Sequence, residues 1–553
     1  MEREMESDMK PGADLDVLTA ASNQPPERGD IDLWAADAPL RAAIAAFGGR
    51  AGVLAGHGAA LGRGEMRAAG AEANRCLPRL ELFDRAGRRL DRVRFHPAYH
   101  DLLRLGIGAG YSAIAWEDAP GGHVNHAAMV YLHSQVEPST CCPMTMTHAA
   151  IPALRKHGVP ALADFWVPGL MSRTYDPADA PAAEKAGFTL GMAMTEKQGG
   201  SDVRANVTRA LPDDAGWRLY GHKWFCSAPM SDAFLTLAQA PGGLSCFLVA
   251  RWLPDGTRNA IRIQRLKDKL GNRANASAEI EYHGARAEMI GEEGQGLRAI
   301  LEMVHHTRLD TAMAPAGLMR AALDEAHHWC LHRSAFQRRL IDQPLMRRVL
   351  ADLTLDWLGA LWLGLRVAAA FDGTSGEDRA FARIGVALAK FLSNKACIGV
   401  VGEAMEVLGG MGYVEDTPLP LLYREAPLNS IWEGSGNVIC LDILRTLARL
   451  PLAGEVLSAE MEAARGLSHA YDAALAAHRA RWPGLPPEAD ARWFAESAGS
   501  LLTASVLLRH QPGIVSEAYA RTRLSGVRGR VAGALQGGDE GAILDLLGTG
   551  AEE

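Results

Sequence analysis

The chain of 553 residues lacks the patterns that mark zinc-binding, disulfide-rich and membrane proteins. Its eight cysteines include no C-x-x-C pair, so nothing supports a zinc ribbon or a thioredoxin-like motif. Scattered cysteines of this kind are typical of reduced thiols, and we predict a cytoplasmic location. No run approaches the roughly 18–20 apolar residues of a membrane span. Residues 1–10 are polar and acidic, unlike a secretory signal, and we expect no membrane association.

Three common motifs for nucleotides and acyl groups are also absent. There is no G-x-G-x-x-G between a strand and a helix and no G-K-[ST] loop, which argues against Rossmann and P-loop proteins. No G-x-S-x-G is present, which argues against an α/β-hydrolase. The composition, with 48% hydrophobic and 22% charged residues, is that of a globular protein. The formal net charge of −8 does not select a partner.

Changes in hydrophobic periodicity along the chain predict several structural domains. The length alone indicates two to four, and the pattern is helical, then β, then helical. Helices are predicted over 102–116 and 149–162, and the later helical pattern breaks around residues 372–376. Closely spaced β-type runs such as 217–220, 233–238 and 244–250 indicate a compact antiparallel domain, and Leu297, Ile300, Leu301 and Val304 begin a helical period. The predicted units are a flexible acidic arm (1–30), a helical domain (31–190), a β-domain (191–292), a four-helix-type domain (293–448) and a further helical domain (449–553).

The most informative segment is the glycine-rich stretch 194–202, Met-Thr-Glu-Lys-Gln-Gly-Gly-Ser-Asp. A Gly-Gly pair lets backbone amides approach a phosphate without a Cβ in the way. Ser201 adds a hydroxyl donor, and Thr195 could bond a flavin edge. An ordinary hairpin turn with a polar cap explains the same residues. From spacing alone, both interpretations stay open.

Two longer matches add a family resemblance. Residues 193–205, A-M-T-E-K-Q-G-G-S-D-V-R-A, match the first signature of the acyl-CoA dehydrogenases, and residues 406–413, E-V-L-G-G-M-G-Y, match most of the second. The two lie in the right order about 210 positions apart. The chain therefore resembles the acyl-CoA dehydrogenase family. This resemblance implies a mainly α fold, with a β-barrel-like middle domain between helical domains, and bound FAD.

The resemblance also implies site residues. Thr195 corresponds to the threonine near the flavin, Ser201 to the serine at the pyrophosphate, and Ser227 to the hydroxyl that faces flavin N5. Arg333 and Phe336 correspond to an element that reaches the FAD of a neighbouring protomer, which implies a homo-oligomer, with a tetramer favoured. The remaining implied cofactor-binding residues are Met192, Met194, Gly200, Cys226, Ala228, Gly409, Gly410, Trp432, Gly434, Ser435, Gly436 and Asn437.

Glu433, in the sequence Ile-Trp-Glu-Gly-Ser, matches the family's catalytic element. The implied chemistry is removal of a proton α to a thioester carbonyl, with hydride transfer from Cβ to the flavin. A carboxylate buried in an apolar cleft has a raised pKa and is a competent base. Some family members place the base just before an arginine on an earlier helix. That position is Thr307, so Glu433 is the single candidate.

Three further blocks are residues 94–97 (R-F-H-P), 142–147 (C-P-M-T-M-T) and 267–273 (K-D-K-L-G-N-R). With them the chain most resembles the AidB-like branch, which is linked to the response to DNA alkylation and is similar to isovaleryl-CoA dehydrogenases. Its members are described as binding duplex DNA through a basic C-terminal domain. Residues 451–553 instead carry nine arginines, no lysine and thirteen acidic residues. A local basic cluster is a candidate DNA contact, and a solvated helix face explains it equally well. The cluster comprises Arg509, Arg521, Arg523, Arg528 and Arg530.

Other features are weighed and set aside. His328 and His332 have a metal-compatible i, i+4 spacing, but no second Glu-x-x-His accompanies them. We predict no metal site there or at the pair His305 and His306. Two alternative functions stay open: a DNA-binding protective protein whose flavin is structural or acts on alkylating agents, and a nitroalkane oxidase. Glu433 argues against the oxidase, whose base is generally an aspartate.

Overall fold

The computed structural model describes residues 22–214, 216–526, 532 and 539–548. The first unit is helical and also contains a β-hairpin. Its elements are α1 (Ala38–Ala46), α2 (Ala51–Leu61), α3 (Gly64–Arg75), β1 (Arg79–Phe83), β2 (Arg89–Arg94), α4 (Pro97–Ala109), α5 (Gly122–Ser134), α6 (Cys141–His157) and α7 (Pro160–Leu170). Helix α5 is buried along its whole length, so it forms the centre of this unit.

The middle unit is a seven-stranded sheet in the order β3-β6-β4-β5-β9-β7, with β8 paired to β9. The additional β6–β7 pairing brings its ends together, which gives the barrel-like form. Most pairs are antiparallel as predicted, but β3 runs parallel to β6 and β4 meets β6 in parallel at one position. The strands are β3 (Leu190–Ala193), β4 (Arg209–Asp213), β5 (Gly216–Ser227), β6 (Ala233–Ala240), β7 (Gly243–Ala250), β8 (Ile261–Leu266) and β9 (Ser277–Ile290).

The remaining chain is helical apart from a short hairpin, β10 (Ser334–Ala335) with β11 (Arg338–Arg339). Three long helices, α8, α9 and α10, pack against one another and contribute more than a third of the residues of the largest hydrophobic cluster. The helices are α8 (Gly296–His332), α9 (Pro344–Asp372), α10 (Gly376–Val407), α11 (Leu419–Glu425), α12 (Gly436–Arg449), α13 (Pro451–Glu462), α14 (His469–Arg481), α15 (Ala491–His510), α16 (Ile514–Leu524) and α17 (Glu540–Leu544).

Local chemistry explains where these helices begin and end. The predicted break near residues 372–376 is confirmed, because Ser375 forms a capping box with Asp378 at the start of α10. A helix expected over 102–116 instead ends at Ala109, where Gly110 adopts a left-handed conformation. The helix expected over 149–162 is two helices, because Pro160 begins α7.

The hairpin of β1 and β2 was not predicted. Its strands are rich in arginine, with Arg79, Arg89, Arg92 and Arg94, and they lack the β-branched alternation on which strand prediction depends. The turn is closed by Asp84, whose Oδ1 accepts from the backbone of residues 86 and 88 at 2.8 and 2.9 Å. The local sequence signal for this hairpin was therefore its turn, with Asp84 and Gly87, and not the composition of its strands.

Two helices of the bundle are more apolar than the search for continuous apolar runs indicated. Helices α9 and α10 have windows of mean hydropathy 1.3 and 1.5, long and apolar enough to cross a membrane by length and composition. However, 78% and 72% of those windows are buried inside the protein. Their apolar character is accounted for by packing in the core of the bundle.

The two ends of the described chain lie against the bundle. Within the predicted arm, Arg28 forms a 2.6 Å ion pair with Asp324 of α8, and the Asn23 side chain bonds Ser334. At the other end, Arg523 of α16 pairs with Asp352 and Asp356 of α9, both at 2.6 Å. Ion pairs and hydrogen bonds thus attach residues 22–30 to α8 and the β10–β11 hairpin, and ion pairs attach α16 to α9.

Ion pairs within the protein involve three of the five arginines in the predicted basic cluster. Arg523 is 8% exposed and Arg509 pairs with Glu460, so both guanidinium groups are committed to carboxylates of the protein. Arg521 is 57% exposed and pairs with Glu517 one turn away. Arg528 and Arg530 lie outside the described residues. The three described members therefore form no continuous free stripe, because a charge-paired arginine gives little attraction to phosphate.

Candidate active site

A cleft of about 1190 Å³ lies where the β-domain meets α6, α8 and the segment before α12. Ten of the predicted site residues line it. They are Met192, Met194, Thr195, Gly200, Ser201, Ser227, Trp432, Glu433, Gly434 and Ser435. Their sequence positions span three separate segments, so the fold assembles the candidate site that the motifs indicated.

The glycine-rich turn forms one wall of the cleft. It follows β3, and Gly199 adopts φ +121°, which favours glycine. A Cβ built on Gly200 would lie 2.5 Å from Thr195 Oγ1, so a larger residue there would displace the threonine. The turn therefore requires both glycines, one for its conformation and one for its close approach to Thr195.

A buried ion pair supports this turn from beneath. Glu196 and Lys223 of β5 are both fully buried, and Lys223 Nζ donates to Glu196 Oε1 at 2.7 Å. Glu196 also accepts from the backbone N–H groups of Val207 and Thr208, and Lys223 donates to the carbonyl of Leu237. Glu196 stands in the first signature, but the sequence assigned neither residue a role.

The pKa values of this pair show how strongly the two groups are coupled. Burial acts to raise the pKa of Glu196, but the nearby Lys223 charge and its hydrogen bond hold it below the ordinary value. Burial lowers the pKa of Lys223 to about 8, even though Glu196 acts against that shift. Each charge is therefore held in the interior by its partner.

The end of β5 supplies a second wall. Ser227 faces the cleft, with its hydroxyl 3.2 Å from that of Ser277. Cys226 points the other way, into the core of the sheet, because alternate side chains of a strand face opposite sides. Ala228, at φ +49°, is also buried. A cofactor would meet the backbone of these two residues and not their side chains.

Glu433 lies in a turn between α11 and α12. Its backbone is left-handed, at φ +57°, and Gly434 follows at φ +105°. Such a conformation costs free energy in a non-glycine residue and persists where surrounding contacts hold it. Arg308 Nε donates to the Glu433 carbonyl at 3.1 Å, and Lys390 Nζ donates to the Gly434 carbonyl at 2.9 Å. These two cations hold the turn on either side.

The carboxylate of Glu433 has one protein hydrogen bond among the described residues. Thr307 Oγ1, on α8, donates to Glu433 Oε2 at 2.7 Å. Burial raises the pKa of Glu433, and this hydrogen bond together with Arg308 and Lys390 opposes the increase. The sequence treated Thr307 only as a position without a base, and its role as the partner of Glu433 was missed.

The two cations are themselves anchored. Arg308 and Arg383 both bond Asp442 of α12, each with an N–O distance of 2.7 Å. Lys390 is 1% exposed, and burial lowers its pKa to about 7. It donates to the carbonyls of Asn429 and Gly434, so it bridges the two sides of the turn that carries Glu433.

Several predicted cofactor-binding residues lie outside this cleft. Gly409 and Gly410 form an exposed turn, and Phe336 is 94% exposed at φ +52° on the β10–β11 hairpin. Arg333 bonds the Asn23 carbonyl and packs over Trp329. Gly436 begins α12, and Asn437 accepts from Arg492. Their assignment to a cofactor, within this chain or across an interface, stays a prediction.

The predicted histidine pair on α8 has other partners. His332 Nδ1 lies 2.9 Å from the carbonyl of His328, and His328 Nε2 lies 3.3 Å from that of Pro26. Glu325, which lies three residues before His328 on α8, faces Arg28. These residues therefore connect α8 to the N-terminal segment.

The cleft fits a flavin dinucleotide by the chemistry of its walls. Neither Thr195 Oγ1 nor Ser201 Oγ bonds another of the described residues, so both hydroxyls are free for a ligand. Met192, Met194 and Trp432 supply an apolar surface for a planar ring system. A β-sheet between two helical units, with one cleft where all three meet, is the architecture of the flavin-dependent acyl-CoA dehydrogenases.

Comparison with known proteins agrees with this architecture. The family profiles that match are adaptive response protein AidB N-terminal domain (residues 23–177), acyl-CoA dehydrogenase middle domain (191–285) and acyl-CoA dehydrogenase C-terminal domain (294–448). The putative acyl-CoA dehydrogenase AidB of Escherichia coli is 46% identical over 459 residues, 82% of this chain and 85% of that protein.

Two solved structures are also similar. One is Caenorhabditis elegans ACDH-11 in complex with C11-CoA, with a TM-score of 0.82 and 27% identity over 92% of this chain and 94% of that one. The other is the apo-form of Bd2924, with a TM-score of 0.81 and 29% identity over 88% and 99%. The chain belongs to the acyl-CoA dehydrogenase family, in its AidB branch. It is an FAD-dependent oxidoreductase of that type.

The Glu196–Lys223 pair makes a testable prediction about the cofactor turn. Replacing Lys223 with Met leaves a buried carboxylate without its charge partner, which costs about 3–5 kcal/mol. We expect Lys223→Met to lower the free energy of unfolding by that amount in urea titrations and to weaken FAD retention. Lys197→Met, an exposed lysine of the same turn, is the control, with a change within about 0.5 kcal/mol. Equal stability of the two variants would contradict the assigned role.

Proposed function

We propose that the protein oxidises the α,β carbon–carbon bond of an acyl-CoA thioester, with Glu433 as the base. The observation that carries the proposal is the Glu433 carboxylate, fixed in the cleft by Thr307 and by contacts to both sides of its turn. The structure of the worm relative with C11-CoA supports the substrate class. The acyl chain stays open, and isovaleryl-CoA is the first thioester to test.

The residues around Glu433 have different roles in proton removal. Thr307 donates its hydroxyl proton to Oε2, which leaves Oε1 to take the proton from the carbon α to the thioester carbonyl. A raised pKa increases the proton affinity of the carboxylate and makes it a stronger base near neutral pH. FAD held by Thr195, Ser201 and Ser227 would supply the acceptor for the hydride that leaves Cβ. Arg308 and Lys390 hold the turn in position.

Polar groups also line the cleft beyond Glu433. Lys269 Nζ donates to the Asn275 carbonyl at 2.7 Å, and burial lowers the pKa of Lys269 to about 8. Burial raises the pKa of Glu425 to about 7, while the N–H of Asn272 donates to its carboxylate. These groups bond one another or the backbone, so we propose that they shape the cleft without taking part in proton transfer.

We further propose that the protein is a cytoplasmic homo-oligomer, with a tetramer favoured. Exposed apolar side chains on the hairpin and the Gly-Gly turn support an interface, since Phe336 is 94% and Tyr413 81% exposed. In that assembly Arg333 and Phe336 would approach the FAD of a neighbouring protomer. All eight cysteines are free, which is compatible with a reducing compartment.

Replacing Glu433 with Gln tests the base directly. Gln keeps the side-chain shape but cannot accept the α-proton, so we expect Glu433→Gln to bind FAD and to lose thioester-dependent flavin bleaching. The measurement is anaerobic absorbance after mixing with isovaleryl-CoA and longer thioesters. Glu455→Gln, on the exposed face of α13, should bleach as the wild type does. Wild-type protein that responds to no thioester would favour the alternative of a protective flavoprotein.

Replacing Thr307 with Val tests how Glu433 is tuned. Thr307 donates to the ionised carboxylate and so lowers its pKa. Without this hydrogen bond the pKa rises, and the ionised base forms only at higher pH. We expect Thr307→Val to move the acid limb of the kcat profile to higher pH, and Thr307→Ser to restore it. A lower kcat with an unmoved acid limb would contradict this role.

Duplex DNA is proposed as a weak, salt-sensitive partner. The support is limited to Arg521, whose side chain is 57% exposed, since Arg509 and Arg523 are paired within the protein. We expect a gel shift of duplex DNA at low salt that is lost on adding salt, and that Arg521→Ala weakens. No shift at low salt would reject DNA binding, and an unchanged shift with Arg521→Ala would place the contact elsewhere.

A further inference from the structure

Three buried histidines meet in the helical part of the protein, beside the cleft. His123 of α5, His148 of α6 and His306 of α8 each offer a ring nitrogen within 4.8 Å of the other two. Their exposed fractions are 6%, 0% and 7%. The ring of Trp116 packs against all three, with centroid distances of 4.9–5.0 Å.

Each histidine also has a nitrogen that lacks a partner. His123 Nε2, His148 Nε2 and His306 Nδ1 are buried and bond no other described residue. Buried polar atoms are nearly always hydrogen-bonded, because leaving one unpaired costs about 1–3 kcal/mol. Three such nitrogens from three helices at one point therefore indicate a ligand.

The contacts of His123 resemble the outer shell of a metal site. Its Nδ1 lies 2.9 Å from Asp372 Oδ1, and the same oxygen accepts from the backbone N–H of His123 at 2.7 Å. A carboxylate at Nδ1 places the proton on that nitrogen, so Nε2 presents its lone pair. Histidines that bind metals commonly have this carboxylate partner, which fixes both the tautomer and the ring orientation.

The other two rings can also act as ligands. His148 is fully buried and His306 is 7% exposed, and each keeps a ring nitrogen without a partner among the described residues. Trp116 Nε1 lies 3.0 Å from both Nδ1 and the carbonyl of His148. As the indole donates to Nδ1, the ring proton of His148 lies on Nε2. Metal binding at Nε2 therefore requires this proton to move to Nδ1 and the indole to donate to the His148 carbonyl alone.

We propose that His123, His148 and His306 bind one divalent late first-row transition metal ion, with Zn²⁺ as the ion to test. Imidazole nitrogen suits these ions, and metal–nitrogen distances of about 2.0–2.1 Å place three ligand nitrogens about 3.3 Å apart. The three ligand nitrogens lie within 4.8 Å of one another, so an ion would draw them closer by up to about 1.5 Å. His306 keeps some exposure and Trp116 is only half-buried, which gives an ion a route inward.

A neighbouring group of possible ligands is already satisfied without an ion. His126 lies 2.8 Å from the Tyr111 carbonyl through Nδ1 and 2.8 Å from Asp310 Oδ1 through Nε2. The other oxygen of Asp310 accepts from Thr145 at 2.5 Å. The set of His126, His148 and Asp310 would need to break these bonds, so the ion belongs with His123 and His306.

The proposed ion would join α5, α6 and α8 at one point. His306 directly precedes Thr307, which positions Glu433, so the ion would stiffen the part of α8 that faces the catalytic turn. Its role is structural, and the site differs from the flavin cleft. Its presence can be measured whether or not the protein oxidises any thioester.

The first experiment measures zinc on the flavin-bound protein. All variants carry His332→Ala, which removes the exposed pair His328 and His332 as a competing site. After incubation with Zn²⁺ and gel filtration, elemental analysis should find one zinc per chain, and X-ray absorption should show three imidazole nitrogens. His306→Gln and His123→Gln should lose the zinc. His57→Gln should keep it, since His57 is a buried histidine with unpartnered nitrogens outside the cluster.

A second variant, at Asp372, distinguishes loss of the metal site from misfolding of the histidine variants. Asp372→Asn keeps a hydrogen-bond acceptor at the start of α5 but loses the carboxylate charge, and we expect zinc affinity to fall about 10–100-fold with the far-ultraviolet circular dichroism unchanged. Wild-type protein that binds no zinc, or His306→Gln and Asp372→Asn proteins that bind it as the wild type does, would overturn the proposal.

Discussion

The contact between α8 and the turn at Glu433 is the constraint on which the site depends. Glu433 has a left-handed backbone that is unfavourable on its own. Adjacent residues of α8 hold it, Thr307 through the carboxylate and Arg308 through the carbonyl. Because α8 runs unbroken from Gly296 to His332, the same helix carries the contact to Glu433, His306 of the histidine cluster and the docking of the N-terminal segment.

Buried charged groups set the geometry elsewhere in the cleft. Glu196 with Lys223 shapes the cofactor turn, and Lys390 spans the catalytic turn. A buried ion pair gives little net stability compared with apolar packing. What such a network supplies is orientation, since each satisfied donor and acceptor allows few alternative arrangements. The flavin site thus combines apolar walls with a small number of fixed polar contacts.

Local sequence patterns predicted much of the architecture. The helix–β–helix order, the break before α10 and most strands of the β-domain follow from periodicity and turn residues, which act over short distances. The arginine-rich hairpin and the parallel pairing of β3 with β6 did not, because strand pairing depends on distant segments. The partner of a side chain is equally non-local, and for this reason the ion pairs of Arg523 and Arg509 were missed.

By itself, the sequence determined the family and the cofactor and singled out Glu433 as the candidate base, because these depend on short motifs whose residues are contiguous. Tertiary structure alone decided how those residues are used. Thr307 is 126 positions from Glu433, and His123, His148 and His306 come from three helices with no shared motif. Only packing of the helices brings such residues within a few ångströms, where hydrogen bonding and metal coordination become effective.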